Sequence, residues 1–348
     1  TLRLIRDIRG ETVDVDALPL DDPATYDLLQ AGETTGVFQL ESSGIRRYLK
    51  ELRPSEFEDI VAMVALYRPG PMELIPHYIK RKFKKEKVTY LHPRLEPILG
   101  ATYGVGIYQE QMMRIARDLA GYTLAEADTL RKAIGKKIKS LLDEQETKLT
   151  EGMVRNGIHP DTARAIWDLF PPFARYGFNR SHAVCYATIA FQTAYLKTHY
   201  PVEFTTALLD ISGTDVERIT FLVGEAKRLG IAVLAPDVNA SARDFTPDDS
   251  TGSGGAGAKR RGIRFGLLAV KGLGSNIVEE LIAERSRGGP FATLGDFLSR
   301  IHHRDLNKKT LEALVKCGAL DSLGIERGQA LENIEDLVRW NQAAKRSV

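Results

Sequence analysis

The stretch "ARYGFNRSHAVCYA", Ala174 to Ala187, decides how the chain is read. Arg175, Asn179, Arg180 and His182 stand directly before an apolar run that holds no Gly or Pro from His182 until it meets Pro201. About five helical turns fit into that run, so it predicts one long helix. Apolar residues such as Val184, Cys185, Ile189 and Phe191 would fall on every side of it, which predicts burial all round inside a large domain. Asn179 or Ser181 can cap its start. There, N–H groups without intrahelical partners and the positive end of the macrodipole meet two arginines and a histidine. This arrangement suits an anion, most often a phosphate. The plainer alternative leaves Arg175 and Arg180 solvated and His182 a hydrogen-bonded packing residue.

The 348 residues allow about two or three domains. At 43% hydrophobic and 27% charged, the composition is that of a soluble globular protein. No run approaches the ~18 apolar residues of a membrane span, and "TLRLIRDIRG" at the start lacks a signal-peptide core, so no membrane partner and a cytoplasmic location are expected. Cys185 and Cys317 are too few for a disulfide framework or a thiolate metal site and read as small buried hydrophobes; no metal site is expected. Net charge is only +2, yet basic residues are clumped at 80–87, 131–139, 259–261 and 308–309, a pattern that fits nucleic acid better than a membrane surface. The first residue is Thr, and the chain reads as a piece of a longer one.

Along the chain, residues 1–35 predict two short helices around the turn "ALPLDDP", and "TTGVFQLESSG" predicts a short strand. Pro54 separates two further helices that end at "RPGP". Helices are then expected over 109–120, 124–134, 141–156 and 161–170. After residue 212 the texture becomes mixed, with strands at "IAVLAP" and "IRFGL" and, between them, the Gly/Ser-rich loop "TPDDSTGSGGAGAKRRG", which reads as mobile. The fold class expected is mainly α, with a few short strands and a helical module at the end. The segments are 1–40, 41–212, 213–265 and 266–348.

In the last segment, "LLAVKGLGSNIVEELIAERSRGG" predicts an apolar helix, a tight hairpin and a second helix. Gly272 and Gly274 permit the turn and leave room for a phosphate at the helix start, beside Lys271 and Ser275. A second unit, "LNKKTLEALVKCGALDSLG", places Lys308 and Lys309 at its own helix start. The pair resembles a tandem helix-hairpin-helix module, a binder of the DNA backbone without sequence preference.

In order, "GVFQLESSG", "ALYRPGPME", "YGVGIYQEQMM", "AGYTLAEADTLRKAIGKK", "YGFNRSHA" and "YLKTHYPVEF" resemble the C family of bacterial replicative DNA polymerases over nearly the whole chain. The resemblance implies a palm-edge connector at 1–40, a helical fingers domain at 41–212 and the helix-hairpin-helix module. It also implies that no catalytic residue lies in this chain. The aspartates that hold Mg²⁺ for two-metal nucleotidyl transfer would belong to a palm outside it. Asp14 and Asp16 share the Asp-x-Asp spacing of a metal pair but stand in a turn-rich connector and read as surface residues. By the same resemblance, Arg131, Lys132, Lys136 and Lys137 would grip the phosphates of an incoming dNTP. Tyr176, Phe178, Asn179, Arg180 and His182 would lie over that nucleotide, with His182 against the sugar. Arg68, Gln109, Glu110 and Gln111 would form the wall of the site, and Lys271, Gly272, Gly274, Ser275, Lys308 and Lys309 would hold primer-template DNA. The family's sliding clamp and other replisome subunits would be met through regions outside this chain. A non-catalytic, sequence-independent duplex-binding module is the competing expectation. It would need neither the Arg131–Lys137 cluster nor "YGFNRSHA".

Overall fold

A computed structural model gives the fold and describes residues 1–136, 139–173, 177–249 and 262–346, without the side chains of 134–141, 345 and 346. Tyr176, Arg175, Lys137 and most of the Gly/Ser-rich loop lie outside the described residues, as does the side chain of Lys136. The chain divides into two compact units, Asp14–Thr198 and the combination of Thr1–Val13 with His199–Val348. Helices dominate both, and the described residues contain one small sheet.

In the unit Asp14–Thr198, one core gathers Leu29, Leu49, Ile60, Leu66 and Phe191 from the helices Pro23–Ala31, Ser43–Leu52, Phe57–Leu66 and Arg180–His199. The first of these starts on Pro23 at a position where its missing N–H is no loss, with the Asp22 carboxylate accepting from the Thr25 N–H at 2.8 Å. It stops at Gly32, whose φ of 66° closes the helix. Helix Arg180–His199 confirms the long helix but corrects its burial. Ala183, Ala187, Ala190, Phe191 and Ala194 form a single buried stripe, while Cys185 and Ile189 are exposed. The packing face is made mostly of small alanines around Phe191, and Cys185 and Ile189 are left on the outer side. Cys185 is therefore not the buried hydrophobe expected, and Cys317 is only half-buried.

The strand expected in "TTGVFQLESSG" is absent. Residues 34–40 fold into consecutive turns, with the Val37 N–H donating to the Thr34 carbonyl at 3.0 Å and the Leu40 N–H to the Val37 carbonyl at 3.1 Å. The Thr34 hydroxyl closes the loop by donating to the Leu40 carbonyl, and a left-handed Gln39 is incompatible with a strand.

A second core in the same unit, built on Ile115, Leu119, Leu149, Met153, Trp167 and Phe170, joins the helices Gln109–Ala120, Leu124–Lys136, Lys139–Arg155 and Pro160–Trp167. Gly152 lets its helix pack closely on Ala120 there. A Cβ on it would come within 2.4 Å of the Ala120 carbonyl oxygen, so no larger residue fits.

In the other unit, Arg9 of helix Leu2–Arg9 makes a bidentate pair with the fully buried Glu203 carboxylate at 2.6 and 2.9 Å. Strand Val233–Leu234 runs parallel to Gly262–Arg264, which runs antiparallel to Thr246–Asp248, a strand the sequence did not announce. The C-terminal core joins helices Ser275–Gly288, Leu294–Arg300, Lys308–Lys316 and Ile334–Arg346 through Ile277, Leu281, Phe297, Leu311, Leu314 and Ile334. The apolar helix expected before the first hairpin is only a 3-10 turn, Leu267–Ala269, because Gly266 precedes it and Gly272 turns the chain soon after.

Candidate nucleic-acid interface

Two segments far apart in sequence build the wall around Phe178. The Phe178 N–H donates to the Ile107 carbonyl at 3.0 Å and the Gln109 N–H to the Phe178 carbonyl at 2.9 Å, a short parallel ladder between Tyr108 and Phe178. Gln109 adds a side-chain bond to the Gly177 carbonyl at 3.2 Å. Gln111 is buried and serves the wall from behind. Its Oε1 accepts from the N–H groups of Ile107 and Tyr108 at 2.8 and 2.9 Å, while its Nε2 donates to the Thr102 hydroxyl at 2.8 Å.

The ladder sets the start of helix Arg180–His199, and the anion at that start is supplied by the chain itself. The Glu110 carboxylate accepts from the Arg180 N–H at 3.0 and 3.1 Å and from the Asn179 side-chain amide at 3.1 Å. Asn179 Oδ1 in turn accepts from the His182 N–H at 2.8 Å, so Asn179 is the cap and Ser181 is not. The Arg180 guanidinium pairs with Glu58 at 2.6 Å and lies over the Tyr108 ring at 5.8 Å.

Aromatic rings cover the exposed face. The Arg68 guanidinium sits 4.2 Å above Phe178, and burial lowers its pKa below the usual arginine value. Phe178, His182, Tyr186 and Phe38 follow one another at centroid distances of 5.4, 4.2 and 5.3 Å. His182 is exposed, which removes the core-packing alternative and leaves its ring on the surface of the wall.

Arg131 and Lys132 stand on helix Leu124–Lys136, over the second core rather than on this wall. Both are paired with Asp128, at 2.7 Å each, and Lys132 foremost, then Arg131, holds the Asp128 carboxyl below the usual carboxylate range. Glu58 and Asp128 are partners the sequence reading missed. Asp128 was open to it, lying three and four residues before the two cations on one helix face, whereas Glu58 lies 122 residues from Arg180 and gave no local signal.

In the hairpin, Gly272 has φ 101°, and an added Cβ would meet Ala313 of helix Lys308–Lys316 at 3.3 Å. Gly274 precedes helix Ser275–Gly288 without any side-chain cap, and a Cβ there would meet nothing within 4 Å. Among the described residues no side chain caps the first-turn N–H groups beside exposed Ser275. Lys271 and Lys309 are exposed and have no partner among the described residues, whereas Lys308 pairs with Glu335 at 2.7 Å, which raises its pKa. Asp14 and Asp16 are both exposed, and the Asp14 carboxylate accepts from the Asp16 N–H at 3.0 Å. Among the described residues no group of three or more His, Cys, Asp or Glu side chains is placed to hold a metal ion, and no helix is long and apolar enough to cross a membrane.

Residues 1–157 match the family described as the bacterial DNA polymerase III alpha subunit finger domain, and residues 230–330 match the helix-hairpin-helix motif. DNA polymerase III subunit alpha of Thermus aquaticus is 45% identical over 343 residues, 97% of this chain and 27% of that protein. The proteins of the same name from Halalkalibacterium halodurans and Pseudomonas aeruginosa are 45% and 43% identical over 99% and 96% of this chain. The chain spans 30% and 28% of their lengths. With the finger-domain match at one end, the helix-hairpin-helix match at the other and near-complete coverage by these relatives, the chain belongs to the DNA polymerase III alpha-subunit family, as the part that carries those two domains.

Proposed function

We propose that this chain supplies the nucleotide-facing and DNA-gripping surfaces of a bacterial DNA-directed DNA polymerase. The ladder between Tyr108 and Phe178 carries the reading, because it gathers half-buried Arg68 and Phe178 with exposed Arg180 and His182 into one cationic and aromatic wall. Flat rings and guanidinium groups suit a base and a triphosphate. Arg131, Lys132, Lys136 and Lys137 would add phosphate contacts, with Lys136 and Lys137 assigned on the sequence resemblance. Tyr176 enters the reading on the same ground. The hairpin, with its uncapped helix start and with Lys271 and Lys309 unpaired among the described residues, takes the backbone of primer-template DNA.

When bound, Mg²⁺ supplies charge neutralisation and nucleophile activation for nucleotidyl transfer. On the sequence resemblance, its ligands are assigned to palm carboxylates outside this chain. The chain alone is therefore expected to bind DNA and to incorporate no nucleotide. The sliding clamp and other replisome subunits are assigned to regions outside it as well.

Primer extension by the corresponding full-length polymerase tests the wall. Arg180→Ala should raise KM for all four dNTPs about equally, by roughly tenfold, as the loss of a phosphate contact does. His182→Ala should instead relax discrimination against ribonucleotides at small cost to dNTP turnover. An unchanged KM in the first variant, or an unmoved ribose-to-deoxyribose ratio in the second, would remove that residue from the nucleotide surface.

A further inference from the structure

In the unit that carries the hairpin, helix Val216–Arg228 turns Val216, Ile219 and Val223 toward Pro236, Phe265 and Val270 across a cleft of about 410 Å³. The three helix residues recur at intervals of three and four and so share one face. Eight of the ten lining residues are apolar, if the half-buried Cys317 counts among them, and that volume falls within the range of small-ligand sites. Burial pushes the Cys317 thiol up, so it lines the cleft as a neutral, apolar group. Val216, at the rim, is 57% exposed, which leaves the apolar surface open to solvent. Lys271 also lines the cleft, and its ammonium has no carboxylate partner among the described residues.

We propose that this cleft binds a small amphipathic anion, an apolar ring system carrying one sulfonate or carboxylate. The rings lie against Val223 and Phe265 and the anionic group meets Lys271. Lys271 is also the first cation of the hairpin, so such a ligand competes with duplex DNA. This competition rests on the DNA-gripping role proposed above, whereas binding to the cleft does not.

The probe is 1-anilinonaphthalene-8-sulfonate, titrated into the 348-residue chain by fluorescence, with neutral N-phenyl-1-naphthylamine in parallel. One saturable site is expected. Val223→Trp, which fills the cleft, should weaken both dyes more than tenfold. Thr220→Trp, at an exposed lining position, should do the same without touching a buried residue, and circular dichroism verifies that both variants fold. Lys271→Met should weaken the sulfonate about three- to tenfold and leave the amine unchanged. In a Cys185→Ser background the sulfonate should also slow alkylation of Cys317. Binding that never saturates, or that is equal in the folded tryptophan variants, overturns the site. Duplex DNA, followed by its own anisotropy, should displace the sulfonate. A duplex that binds and leaves the dye in place overturns the shared lysine. If no duplex binds, it is the DNA-gripping reading that fails, and the dye titration still decides the cleft.

Discussion

The wall around Phe178 and the hairpin at Gly272 both bring cations to a helix N-terminus, and they differ in what already satisfies them. On the wall, Glu110 takes the helix start, Glu58 takes Arg180, and in the same unit Asp128 takes Arg131 and Lys132. In the hairpin, Gly274 offers no cap, and Lys271 and Lys309 have no partner among the described residues. On the proposed function, a phosphate would join the hairpin by displacing water and counterions alone. On the wall it would also have to displace a carboxylate, so binding there would be an exchange between two anions, more selective for a highly charged ligand.

The largest expected effect tests whether the hairpin is a rigid, prepared site. Gly272→Val forces a branched side chain to φ 101° and against Ala313, and it should cost about 2 kcal/mol or more of stability, read as a lower melting temperature, with loss of duplex binding. A variant that melts and binds normally would deny the hairpin its special geometry. Next in size, Lys271→Ala with Lys309→Ala should lower duplex affinity about tenfold and reduce the slope of log affinity against log salt by about two. Glu110→Ala strikes the other region. It removes the carboxylate that accepts from the Arg180 N–H and from the Asn179 cap of helix Arg180–His199, and it should lower stability by about 1 kcal/mol, while Glu110→Gln keeps part of the loss back.

These contrasts were unevenly legible in the sequence. Helix Gln109–Ala120 could be placed to the residue because Gly121 ends it and its apolar positions repeat as a helix requires. The long helix was legible in extent but not in orientation, since a stripe of alanines carries little hydrophobic signal beside Ile189 and Cys185 on the outer face. Residues 34–40 looked like a strand because Val37, Phe38 and Leu40 outweigh Gly36 by composition, yet positive φ angles at Gly36 and Gln39 commit the segment to turns. The Gly272 hairpin was readable, because two glycines beside a lysine state a local geometry. The pairing of Arg180 with Glu58 was not, because only tertiary packing brings the two together.

Titration offers a way to tell the two units apart. Asp210, in the hairpin's unit, has its pKa pushed up to about 6, foremost by burial and further by Asp244, against the opposing Phe245 N–H, Arg3 and Thr1 ammonium. A folded-state pKa above the unfolded one gives stability that is complete below pH ~4 and is lost as pH rises through ~6. The group is half-exposed, so the loss should be only about 1 kcal/mol. Asp210→Asn should flatten the melting temperature of this unit between pH 4 and 6, and an unchanged pH profile would show that Asp210 keeps its ordinary pKa.

The smallest effect bears most directly on the exchange. The Arg180 and Glu58 side chains are 46% and 42% exposed, so their pair holds less than about 1 kcal/mol. Glu58→Gln in the full-length polymerase frees the guanidinium without removing it, and it should lower KM for all four dNTPs by about two- to threefold, the opposite sign to Arg180→Ala. Because both partners face solvent, the gain should shrink as salt rises and the carboxylate is screened in the parent enzyme. Steady-state primer extension at two ionic strengths reads both trends. A raised KM would instead make Glu58 the residue that positions Arg180, and the wall would then be a prepared site like the hairpin rather than one that exchanges anions.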